Sequence, residues 1–286
     1  MRRLCGIDAN RCVLRMWLLA LTIAVCFPAI AHEQEHPYVS DKEEYVLGVF
    51  PYLAPRQIEN IYAPITAALT EALGRHVHLT SGLSYTKFMD NVKQELYDLV
   101  FVQPFDYVSI ADAYGYVPLA TRDEPLPAIL VVREDGLLNT LSDLKGQVIA
   151  LPPELAAVSR LVKDHLRQSA FDHSATLQYQ KSHFACMHQV MVGKAAACGT
   201  APPALRFFQQ KTDAKLKIIS TTKAIPNSLF AAHPRVSPED RQKILDTMTS
   251  WADSEQGRKL LEKAKVKAFV PIHDEAYDIV RKMSQQ

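Results

Sequence analysis

The 286-residue chain carries almost no net charge: 32 Lys and Arg against 31 Asp and Glu leave +1. A balance this even argues against nucleic acid or an acidic membrane surface as a bulk partner. Low-complexity tracts and repeats of fixed period are absent, which excludes solenoids and arrays. There is no G-x-S-x-G elbow, no C-x-x-C pair and no P-loop, so the chain reads as a non-enzyme. Past residue 31 no apolar stretch is long enough to span a bilayer. Cysteine is scarce as well. Of five, Cys5, Cys12 and Cys26 fall in the opening segment, leaving only Cys186 and Cys198 in the body.

What is present begins with that opening segment. Arg2, Arg3, Arg11 and Arg15 lead into the apolar run 16–25, and Pro28-Ala29-Ile30-Ala31 supplies an A-x-A site. A basic start, a short apolar centre and small exit residues make residues 1–31 a secretory signal peptide cleaved after Ala31. The apolar run is well short of the roughly 20 residues a membrane-spanning helix needs. Residues 32–43 are polar and read as a flexible lead. His32 and His36 within it form a metal site only with a third ligand. In an exported chain, an even pair of cysteines reads first as a possible disulfide.

From residue 44 the chain alternates. Apolar runs of strand length at 44–50, 76–80 and 97–102 are separated by helical patterns at 58–73 and 86–96 and followed by another at 105–113. Ile58, Ile61, Tyr62, Ile65, Leu69 and Leu73 fall on one helical face, and Gly74 stops the helix. The alternation restarts with strands at 128–133, 147–151, 176–180, 195–199 and 216–220. The intervening helices are opened by Pro152-Pro153 and by the segment after His183, and two amphipathic helices follow at 238–255 and 256–265. Strands alternating with helices predict an α/β fold with mainly parallel sheets flanked by helices. Two successive units with a shared tail predict two lobes: residues 44–124 plus 227–286, and residues 125–226, with a ligand cleft between them.

The order and spacing of several landmarks resemble a known family. They are Phe50-Pro51-Tyr52, Tyr62-Ala63-Pro64, Tyr97-Asp98-Leu99 leading to Gln103-Pro104-Phe105-Asp106-Tyr107, Leu141-Ser142-Asp143-Leu144-Lys145-Gly146, and His183 before a helix into Gly193. The chain is similar to the periplasmic substrate-binding proteins of phosphate, phosphite and phosphonate ABC transporters over residues 44 to 275. The resemblance implies a class II-like two-lobed fold that closes on a small-molecule ligand and then meets a membrane permease, with the protein periplasmic and monomeric. A sensor that docks on a receptor kinase would use the same closure. The family's hydroxyl-rich turn at one helix start is replaced here by Leu151-Pro152-Pro153-Glu154-Leu155-Ala156-Ala157-Val158-Ser159. Helix starts hold anions through free N–H groups and the dipole. Loss of hydroxyls and the charge of Glu154 therefore point away from simple phosphate or phosphonate and toward an apolar organic or even lipid-like ligand.

The candidate ligand residues are Tyr52, Tyr85, Gln103, Pro104, Tyr107, Leu151, Pro152, Pro153, Ala156, Ser159 and His183. Tyr52, Tyr85, Gln103 and Tyr107 stand after first-lobe strands, where open α/β sheets bind ligands. No cofactor is implied. Cys186 and Cys198 are expected close together at a cleft-facing edge: a disulfide, two buried thiols, or, with His183 and Met187, a soft-metal or metalloid site.

Overall fold

The computed structural model describes residues 43–81, 84–169, 171 and 174–285. The segment expected to be a signal peptide, and all but the end of the polar lead, lie outside the described residues.

The first apolar runs form β1 (Glu44–Val49), β2 (His76–Ser81) and β3 (Leu99–Val102), joined through α1 (Pro55–Leu73) and α2 (Tyr85–Lys93) and followed by α3 (Pro104–Tyr114) and β4 (Val117–Arg122). Tyr45, Leu47 and Val49 point to one face of β1 and are wholly buried, as the two-residue strand period requires. They pack on Ile58, Tyr62, Ile65 and Leu69, the apolar face of α1. Gly74 ends α1 in a left-handed conformation (φ 62°), which glycine adopts without a Cβ penalty. Gly48 has a different reason to be glycine: a Cβ there would sit 2.5 Å from the Tyr97 ring.

The chain then crosses into a second sheet. It contains β5 (Ile129–Arg133), β6 (Val148–Leu151), β7 (Thr176–Tyr179), β8 (Ala197–Thr200) and β9 (Leu216–Thr221). Between these strands lie α4 (Ala157–Gln168), α5 (His183–Met191) and α6 (Pro202–Thr212). It crosses back for β10 (Leu229–Ala232), α7 (Pro238–Thr249), α8 (Glu255–Ala264), β11 (Phe269–Pro271) and α9 (Asp278–Ser284). The strand orders are β11-β4-β10-β3-β1-β2 and β7-β6-β8-β5-β9.

Each sheet is mixed, where the sequence predicts mainly parallel ones. β2-β1-β3 and β7-β6-β8 run parallel, but β10 pairs antiparallel with β3 and β4, and β5 pairs antiparallel with β8 and β9. The reason is the crossings. Each delivers a strand head-on into a sheet whose other strands arrive through helices. The crossings themselves touch: Leu126 and Ile225 exchange N–H···O bonds of 2.8 and 3.1 Å, and Ala128 and Thr222 add two of 2.9 Å.

Helix α4 starts at Ala157 and not at the prolines. Pro153 restricts Pro152 to extended backbone, and Ala156 N–H closes a turn on the Pro153 carbonyl at 2.9 Å. Cys186 and Cys198 are joined in a disulfide, Cα atoms 5.6 Å apart. The bond does not face the cleft. Both residues are wholly buried with Ile129, Val131, Ala150, Met187 and Val190 under the second sheet. Neither sulfur is left as a thiolate for a metal.

A bond closing so short a loop contributes about 2–3 kcal/mol, chiefly by restricting the unfolded chain. Thiol counting on the unreduced, denatured chain from His32 onward is therefore expected to find no free thiol. Paired Cys186→Ser and Cys198→Ser substitutions are expected to lower the urea-unfolding free energy by about that amount. Two free thiols would refute the pairing.

Candidate functional site

Parallel neighbours in a sheet end at the same edge. β1 and β3 are such neighbours, and Phe50 N–H bonds the Phe101 carbonyl at 3.1 Å, so Phe50-Tyr52 and Gln103 leave the first sheet side by side. β6 and β8 are parallel neighbours in the second sheet, so Pro152 and Ala201 leave it together.

These two edges meet through Gln103. As N-cap of α3 it is extended (φ −79°, ψ 161°), and its own carbonyl accepts from Tyr107 N–H at 3.0 Å. Its side chain does not cap α3. It crosses to the other lobe, where Oε1 accepts from Ala157 N–H at 2.8 Å and Nε2 donates to the Leu155 carbonyl at 2.9 Å. The carboxamide thus satisfies an orphan donor in the first turn of α4. Beside it, Arg160 of α4 lies over the Phe105 ring of α3, 5.0 Å from its centroid. Tyr85 donates to Asp106 Oδ1 at 2.6 Å. Burial pushes the Asp106 carboxyl above the ordinary aspartate range, and burial together with Asp106 raises the Tyr85 phenol.

A second region of the cleft lies beside the crossings. Tyr52 is half-buried, stacked 4.8 Å from Phe50, and shares a 3.1 Å hydrogen bond with Tyr62. Arg122, the last residue of β4, lies over the Phe101 ring at 5.5 Å. Tyr52 and Arg122 border a cavity of about 440 Å³, walled on the second-lobe side by Pro203. Just beyond Pro203, Lys265 of the first lobe lies 5.1 Å from the Phe207 ring of α6.

The expected site residues divide. Tyr85, Gln103 and the turn around Ala156 come together across the lobes, and Tyr52 lies at the cavity by the crossings. His183 opens α5 with Nδ1 2.9 Å from Thr200 Oγ1 at the same strand edge. Pro104 is buried as the first residue of α3, Pro152 is buried, and Pro153 is exposed beside Glu154. Tyr107 is wholly buried against Tyr277, its hydroxyl donating to Asp274 at 2.5 Å. Leu151 is a core residue whose methyl fills the space beside Gly199. Ser159 is wholly buried and donates to the Pro152 carbonyl at 3.2 Å.

Arg122, Asp106, Arg160 and Lys265 are the residues that sequence reasoning passes over. Asp106 stands within the landmark Gln103-Pro104-Phe105-Asp106-Tyr107 and could have been singled out. Arg122 arrives on a strand with no clear sequence pattern. His32-Glu33-Gln34-Glu35-His36 spells H-E-x-x-H, a pattern that needs both imidazoles on one helical face. It lies outside the described residues, and no role is assigned to it.

Two sheets whose strand ends face one another, joined by two short crossings, define a two-lobed binding protein. Residues 47–277 match the family model described as the periplasmic substrate-binding protein of a phosphonate ABC transporter. The chain belongs to that family. Among solved structures it is similar to PhnD1 from Prochlorococcus marinus in complex with methylphosphonate (15% identity, TM-score 0.73, 85% of this chain and 97% of that one). It is also similar to XAC2383 from Xanthomonas citri bound to ATP (13%, 0.72, 85% and 96%). A third is the periplasmic aliphatic sulphonate binding protein SsuA from Escherichia coli (13%, 0.65, 85% and 91%). At these identities the structures speak for the fold alone. No helix among the described residues is long and apolar enough to cross a membrane.

His183 yields a pH prediction. Burial pushes its imidazole down to about 4, so the folded protein holds it neutral where an unfolded histidine takes a proton. The unfolded state binds more protons between the two values, and the stability this group contributes is present above about pH 6.5 and lost as pH falls toward 4. Urea unfolding at pH 7 and pH 5 is expected to show a smaller pH difference in His183→Gln than in the parent chain. Equal differences would refute the assignment.

Proposed function

We propose that the protein captures a small solute between its lobes and delivers it to an ABC-type permease. In this reading the chain is exported, cut after Ala31, and works as a monomer without a catalytic step. Residues 44–124 with 227–286 form one moving body and 125–226 the other. The observation that carries the reading is the Gln103 side chain hydrogen-bonded to the start of α4. Two neutral hydrogen bonds contribute about 1–3 kcal/mol together. That is enough to favour closure and small enough for a ligand to decide it. The crossings, paired at Leu126 and Ile225, supply the hinge.

Small-angle scattering tests this. The protein as purified, with any solute it carries, is compared with the same protein unfolded, dialysed and refolded. The refolded form is expected to have the larger radius of gyration, and Gln103→Ala is expected to enlarge it further. An identical radius in all three samples would sink the two-lobe closure.

The ligand in this reading is not simple phosphate or phosphonate. Ala157 N–H, the kind of donor an anion at a helix start requires, is already bonded to Gln103. Ser159 is committed to Pro152, Ala156 and Ala157 have no hydroxyl, and Glu154 adds a like charge. Calorimetric titration with methylphosphonate and with phosphate is expected to show no tight binding. Submicromolar affinity for either would overturn this part of the reading.

A further inference from the structure

The cavity beside the crossings has a chemistry of its own. At about 440 Å³ it falls within the range of small-molecule sites. Leu53, Ile61 and Val266 and the ring of Tyr52 make much of its wall apolar. Arg122 also lines it, half-buried over the Phe101 ring and beside the Tyr62 hydroxyl. A half-buried guanidinium has lost part of its hydration, and the carboxylate of a ligand would replace it. Lys263 and Lys265 stand at the rim. Asp123 and Glu124 are there too, but Glu124 is held by Lys267 at 2.6 Å, which keeps its carboxyl below the usual range. Pro203 completes the cavity from the second lobe, so it is whole only when the lobes are shut.

We infer that this cavity binds an organic monoanion, a carboxylate on an apolar or aromatic body, with the carboxylate on Arg122 and the body against Leu53, Ile61, Val266 and Tyr52. The inference rests on the solute-capture reading and names the ligand class for the cleft. A guanidinium presents paired donors matched to a planar carboxylate. An inorganic anion would leave the apolar wall facing water, and a neutral apolar molecule would offer the Arg122 guanidinium no acceptor. The class therefore follows from both halves of the cavity together.

The test is a calorimetric and thermal-shift series: acetate, hexanoate, octanoate, benzoate and phenylacetate, each beside its neutral amide, on the refolded, dialysed protein. At least one longer or aromatic acid is expected to bind about tenfold tighter than acetate, because its body is buried. The same acid is expected to bind about tenfold tighter than its amide, because the charge is matched. Arg122→Gln is expected to abolish the preference for acid over amide. Lys263→Gln, at an exposed helix position with no role in the core, is expected to weaken the acid by about twofold through lost long-range attraction. Three outcomes overturn the inference: no acid of the series binds tighter than acetate, acids and amides bind alike, or Arg122→Gln keeps the preference. Scattering separates this from the parent reading. Lobes that close on a neutral co-purifying solute uphold capture and refute the carboxylate. Acids that bind with no change in radius of gyration uphold the cavity chemistry and refute capture by closure.

Discussion

Parallel strand pairing is the constraint on which the molecule turns. When β1 and β3 lie side by side in the same direction, the loops that leave them must open at one edge, and the same holds for β6 and β8. Each lobe is thereby given one chemically active rim before any ligand residue is chosen. Gln103, at the end of β3, can reach Ala157 because both residues stand on such rims, and their meeting follows from topology rather than nearness in sequence.

The lobes are held together by polar contacts as well as by apolar packing. Between lobes stand two hydrogen bonds from Gln103, Arg160 over Phe105, and Lys265 over Phe207, beside an apolar cluster that includes Val102 and Phe105 of one lobe and Leu151 and Val158 of the other. Cation–π pairs at such sites contribute on the order of 0.5–2 kcal/mol each. Inside the first lobe a buried ion pair adds a tie that is costly to break. Asp98 is wholly buried and bonded to Arg235 Nε at 2.6 Å and to Val46 N–H at 2.8 Å, and removing one member of such a pair strands a buried charge.

How much of this the sequence shows depends on the range of the interaction responsible. Strands with long apolar runs, such as the one ending at Val102 and the one at Ile129–Arg133, and helix α1 with its one-sided face, are local patterns and are legible. β4 contains Pro118 and has no clean alternation, while β10 is four residues long, so both escape. Pro202-Pro203 looks like a break but sits at the first turn of α6, where a missing N–H is harmless. Among candidate site residues, those directly at strand ends, Tyr52 and Gln103, lie at the cleft edges. Tyr107 is one helical turn past Gln103 and turns inward, because its partner Asp274 is supplied by a segment 167 residues later. Ser159 is drawn back by the Pro152 carbonyl, which only the turn before α4 brings near. The cysteine pair is legible through its even count and the export that the opening segment predicts, but which face of the sheet it occupies depends on the packing of α5 and is not.

The buried Cys186–Cys198 bond gives the protein a history as well as a shape. Thiol pairs form and persist in oxidising compartments and stay reduced in the cytosol. In a reducing compartment the chain would therefore hold its second lobe without the bridge between α5 and β8, in a form easier to unfold. Oxidation would then fix the clipped lobe, which no longer relaxes readily into an open chain. A bond of two sulfur atoms thus records the oxidising conditions the chain has met.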